Sequence, residues 1–135
     1  AVTWQLGDAV TLVGYDLPSG VSSGMSLRVA LYWHARLEIS DDYKVFVHIL
    51  DQAGQSWVQD DSKPLAWAYP TTQWAAGEYV RDVHILPLPA DLPRGDYSVA
   101  VGMYDVETGV RLPVLDAQGH SVPEGQILLR PLRVR

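Results

Sequence analysis

The chain of 135 residues has no cysteine, so neither a disulfide framework nor a thiolate metal site is available to it, and redox compartment cannot be read from it. Asparagine is absent as well, which removes every N-glycosylation acceptor and points faintly to a thermophilic source, a hint that seven glutamines weaken. Basic residues are too few to balance the acidic ones, and the formal net charge is −6. That balance excludes a phosphate backbone as the main partner, since nucleic-acid binding draws on Lys and Arg. The one basic cluster, Arg130, Arg133 and Arg135, reads as a solvated face or the guard of an edge strand. No apolar run approaches the roughly 18 residues of a membrane span, and no charged-then-apolar leader is present. Direct membrane insertion of this piece is not expected. The first methionine is Met25, well inside the pattern, so we expect residues 1–135 to be a single domain excised from something longer.

Catalytic grammar is also missing. Gly20-Val21-Ser22-Ser23-Gly24 matches GxSxG, but Pro18 and Ser19 lead into it and a strand follows, where a nucleophile elbow needs a strand before and a helix after. His34, His48, His84 and His120 lie on separate segments; Asp82 is near His84, yet no HxH, HxxxH or HExxH spacing supports a metal. Asp41-Asp42 and Asp60-Asp61 sit in turns, and Glu78 and Glu107 do not look buried, so the paired carboxyls of a glycosidase are not offered. No GxxxxGK[ST] occurs. The expectation is a protein that is not an enzyme and uses no cofactor.

What is present is period two. In 96–104, Tyr97, Val99, Val101 and Met103 alternate with Ser98, Ala100, Gly102 and Tyr104. Leu27, Val29, Leu31 and Trp33 alternate with Arg28, Ala30, Tyr32 and His34, and Val45, Val47 and Ile49 with Lys44, Phe46 and His48. The last strand carries bulk on both faces, which predicts that a long loop or a neighbouring domain covers its second face. About eight strands follow, near 10–17, 26–34, 43–50, 55–60, 79–87, 96–104, 110–114 and 126–134. The fold class is all-β: an antiparallel two-sheet β-sandwich, immunoglobulin-like or jelly-roll. Its core is expected at Leu31, Trp33, Val45, Val47, Ile49, Tyr97, Val99, Val101 and Met103. Three turns, each an Asp followed by Gly, centre on Asp51, Asp105 and Asp116; we read the carboxylates as caps for the turns' own amides rather than calcium ligands.

The one long irregular stretch, Asp61 to Glu78, holds Trp67, Tyr69 and Trp74. Flat rings spaced by Ala and Pro can form a glycan-stacking platform, with Gln73, Thr71, Asp60 and Asp61 as hydrogen-bonding neighbours. Equally, Trp67 and Trp74 can fold back to plug the sandwich, and that is the reading we prefer for the loop.

The segments GYDL at 14–17, LYWHA at 31–35, DYKVFVHILDQAG at 42–54, YPTTQW followed by GE at 69–78, and LPADLPRGDYSVAVGMYDVETGVRLPV at 88–114 span nearly the whole chain. Together they resemble a recurrent bacterial β-sandwich domain, similar to those at the C-terminus of multi-span membrane proteins that look like dolichyl-phosphate-mannose mannosyltransferases. The resemblance implies an extracytoplasmic position, tethered through membrane spans outside this chain, with glycan or the parent protein as partner. It transfers no catalytic residue. The rival expectation is a purely structural or protein-interaction module.

Overall fold

The computed structural model describes residues 3–65 and 67–135, so Ala1, Val2 and the loop residue Ala66 lie outside the described residues. Twelve strands run in chain order: β1 Trp4–Leu6, β2 Val10–Asp16, β3 Gly20–Val21, β4 Ser26–Ala35, β5 Tyr43–Leu50, β6 Ser56–Ser62, β7 Tyr79–Pro87, β8 Gly95–Asp105, β9 Val114–Leu115, β10 Ser121–Val122, β11 Ile127–Leu128 and β12 Leu132–Val134. The only helical turns among the described residues are the short 3-10 segments Thr71–Gln73 and Pro123–Gly125. None is long and apolar enough to cross a membrane.

The strands form two sheets, ordered β10-β9-β1-β2-β4-β7 and β3-β12-β8-β5-β6, with β11 also on β8. Apart from the shortest pieces, β2, β4 and β7 share one sheet while β8, β5 and β6, with the three-residue β12 beside β8, share the other. This is the Greek-key order of an immunoglobulin-like sandwich, which decides between the two topologies that periodicity leaves open. Tyr97 adds a local mark of that class: it stands near the start of β8, and its hydroxyl donates back to the Pro93 carbonyl at 2.6 Å, a tyrosine corner.

Alternation explains the layers. Leu27, Val29, Leu31 and Trp33 of β4 face Val45, Val47 and Ile49 of β5 and Val99, Val101 and Met103 of β8 in one core, and all nine residues expected there are buried. The opposite face of β5 is covered as its bulk requires, and the cover is the chain's own return between β8 and β11. Phe46 is fully buried beneath it, with the Arg111 guanidinium 4.2 Å from its ring centroid. Gly102 lies next to Phe46 on β8, where a Cβ would come within 2.5 Å of the ring and 2.9 Å of the Gly125 carbonyl. Only glycine fits there.

The three acidic turns share one construction. Asp51 accepts from the amides of Ala53 and Gln55, Asp105 from those of Glu107 and Thr108, and Asp116 from those of Gln118 and His120, all between 2.8 and 3.1 Å. Gly54, Gly109 and Gly119 close them at φ of 82°, 71° and 80°. The expected strand 110–114 is shorter in the structure: Arg111 makes only a single bridge to Tyr104, and pairing resumes at β9 in the other sheet.

Candidate functional site

β6 and β7 are the facing edges of the two sheets, and the loop of residues 63–78 joins them. Its far end is a packed hub. Trp74 is 1% exposed and its indole N–H donates to the Tyr69 carbonyl at 3.0 Å, while the Tyr69 hydroxyl donates to the Glu78 carboxylate at 2.7 Å. That bond raises the Tyr69 pKa and lowers that of Glu78, because it favours the phenol and the carboxylate together. Thr71 is buried as well, its hydroxyl donating to the Asp41 carbonyl at 2.9 Å and accepting from the Tyr43 amide at 3.1 Å. Trp74 therefore plugs the sandwich, a role expected of both tryptophans and filled by this one alone.

Trp67 behaves differently. It is 52% exposed and sits at φ of 74°, with Leu65 at 53°, two positive values that non-glycine residues adopt only at a cost of about 1–3 kcal/mol each. The strain is held by the amides of Trp67 and Tyr69, which donate to the carbonyls of Lys63 and Pro64 at 3.1 and 3.2 Å. Both lysines of the chain stand over the ring, Lys44 Nζ at 4.9 Å and Lys63 Nζ at 5.5 Å from its centroid.

Asp60 and Asp61, expected in a turn, lie instead side by side on β6 and point to opposite faces. Asp61 faces outward, where it accepts from the Tyr104 hydroxyl and lies against His48 Nε2, both at 3.0 Å. Burial first, then the bond and charge of Asp61, push the Tyr104 pKa up to about 12. Asp60 points across to the other sheet, where His84 Nδ1 lies 2.7 Å away. The second ring nitrogen of His84 is 2.6 Å from Asp82, itself 0% exposed and also held by the Trp33 indole at 3.2 Å and the Leu65 amide at 2.8 Å. Burial works against a charge on His84, but the bonds and charges of Asp82 and Asp60 together outweigh it, so the pKa is raised. The imidazolium donates to both carboxylates and clamps one sheet edge to the other. Both nitrogens being engaged, the ring has no lone pair to offer a substrate or metal while the clamp is closed.

The six residues expected at a glycan site thus divide. Trp67 and the exposed Gln73 are on the surface, Tyr69 is half-buried, Trp74 is in the core, and Asp60 and Asp61 are on opposite sides of β6. The clamp was not expected as such. Its signal was nonetheless in the alternation of β7, where Asp82 and His84 occupy the same inward register as Val80 and Leu86.

No protein family matches the sequence, and no characterised protein matches it closely. Solved structures do share its shape. The C-terminal domain of wzt aligns with 98% of this chain and 77% of its own length, with a TM-score of 0.66 and 14% identity. A Niemann-Pick type C2 protein from the Japanese carpenter ant aligns with 96% of this chain and 95% of its own at a TM-score of 0.59 and 4% identity. Both likenesses are of fold: the chain is an all-β sandwich domain.

Proposed function

We propose that this chain is a non-catalytic accessory module on the extracytoplasmic face of a bacterial membrane, part of a larger glycosyltransferase-like protein, and that it contacts glycan at Trp67. The membrane context rests on the resemblance carried by the five sequence segments. The contact rests on one observation: a half-exposed tryptophan held outward by a strained backbone, with two ammonium donors beside its ring. Strain of this kind persists where the surrounding structure enforces it, and here its effect is to display a flat apolar face. Sugar C–H faces stack on such a ring, while Lys44, Lys63 and Gln73 supply hydrogen bonds to hydroxyls. The rest of the loop serves as support, since Trp74 and Tyr69 pack inward.

A glycan array followed by titration of any hit tests the reading. Trp67→Ala should abolish binding and leave the melting temperature within about 2 °C, because an exposed ring contributes little to the core. Trp74→Ala should instead cost about 3–5 kcal/mol of stability. A glycan bound equally well by Trp67→Ala, or no glycan bound at all, would favour the rival reading. That rival, a purely structural or protein-holding module, is supported by the inward packing of Trp74 and Tyr69.

A further inference from the structure

The outer face of the first sheet holds a depression of about 600 Å³, open to solvent, lined by Arg28, Arg81, Arg130, Tyr15, Asp16 and Ser26 among others. The register creates it. On β4 the outward positions are Arg28, Ala30 and Tyr32, and their partners across the ladders are Arg81 of β7 opposite Tyr32 and Asp16 of β2 opposite Ala30. Ala30, small between two large neighbours, forms the floor. Arg130 comes from the segment between β11 and β12, where its backbone amide donates to the Tyr15 hydroxyl at 3.1 Å.

Three arginines therefore line one depression on a chain whose net charge is −6. Among the described residues, none of the three has a carboxylate within ion-pair distance, whereas Arg133 is paired with Asp96 at 3.0 Å. The one acidic residue in the lining, Asp16, accepts the Tyr32 hydroxyl, and Arg81 Nε donates to that same hydroxyl at 3.4 Å, which leaves the rest of the Arg81 fork unused. Guanidinium forks match carboxylate and phosphate oxygens two bonds at a time, so arginines that line one pocket without ion pairs are suited to an anion. The volume lies within the range of small-molecule sites, roughly 300–1,000 Å³, and far exceeds what a lone anion fills. The hydroxyls of Tyr15 and Ser26 and the Asp16 carboxylate add neutral and accepting partners at the rim.

We propose that this pocket binds an acidic saccharide unit through its carboxylate or phosphate group, with Arg28, Arg81 and Arg130 holding the anion and Tyr15, Asp16 and Ser26 the ring hydroxyls. The pocket shares no lining residue with the Trp67 contact and does not depend on it.

Titration followed by backbone amide shifts in NMR spectra tests it, with glucuronate and glucose 6-phosphate as probes and glucose and inorganic phosphate as controls. Either acidic sugar should saturate and move the amides of residues 15–17, 19–21, 26–30 and 130, and the one that saturates at lower concentration tells carboxylate from phosphate. Arg28→Gln and Arg130→Gln, both exposed and without ion pairs, should each weaken binding roughly tenfold with an unchanged melting temperature. Arg94→Gln, exposed and outside this pocket, should leave it as it is. Glucose binding as well as the acidic sugars, inorganic phosphate binding as tightly as either, no saturable shift, or full affinity in the Arg28→Gln/Arg130→Gln double variant would each overturn the proposal.

Discussion

At His84, protonation and stability are linked, because the imidazolium is what the two flanking carboxylates hold. Its pKa in the folded protein lies above the ordinary 6.5. The charged ring's contribution is therefore complete below that ordinary value and is lost as pH rises through the raised one. We expect the melting temperature to decline as pH rises from the ordinary 6.5 through that raised value, and the decline to be shallower in His84→Gln. Thermal melts followed by circular dichroism across that range check it; identical slopes for the two proteins would mean that the clamp is not charged. The clamp shows where sequence reading stops. Asp82, His84 and Asp60 were each visible, and the alternation of β7 puts the first two inside, but Asp60 meets His84 only because β6 and β7 come to the same side of the sandwich. No spacing along the chain encodes that meeting.

The elements divide by length in the same way. Strands of seven residues or more, β2, β4 to β8, were legible because alternation over that span buries one face and exposes the other. β1, β3 and β10, of two or three residues, were not, since so few positions carry no period and are defined by what they pair with. The expected strand 126–134 is split: Ile127–Leu128 and Leu132–Val134 pair with different parts of β8, and Pro131 between them has no N–H to continue a ladder. Bulk on both faces of β5 correctly signalled a cover, and its fit can be tested at Gly102. The backbone there is not left-handed, so alanine would act through its methyl group alone, forced to 2.5 Å from Phe46 Cζ and 2.9 Å from the Gly125 carbonyl. Gly102→Ala should destabilise by about 1–3 kcal/mol through overpacking. A urea titration with a lower midpoint and an unchanged slope is the expected record, and an unchanged midpoint would mean that the covering segment yields freely.

At the scale of the whole molecule, the order in which this chain closes its sheets sets how fast it can fold. β5 pairs with β6 through a tight turn, but its other neighbour, β8, follows only after the long loop and β7. β1 pairs with β9 at Gln5↔Leu115, and β3 lies parallel to β12 at Gly20↔Arg133, so the chain's two ends are joined within the sheets they complete. Each such closure loses loop entropy before burial of the core compensates for it. The tyrosine corner and the three capped turns are local and can form early, yet they do not align the sheets. The His84 clamp needs both edges in place and so belongs to the last stage. Refolding from denaturant should accordingly fall in the range of about milliseconds to seconds, as for other sandwiches dominated by distant pairings. Stopped-flow tryptophan fluorescence, reporting chiefly burial of Trp33 and Trp74, measures it directly. A microsecond relaxation carrying the full amplitude would show that local turns, and not the distant pairings β5–β8 and β3–β12, govern how this sandwich assembles.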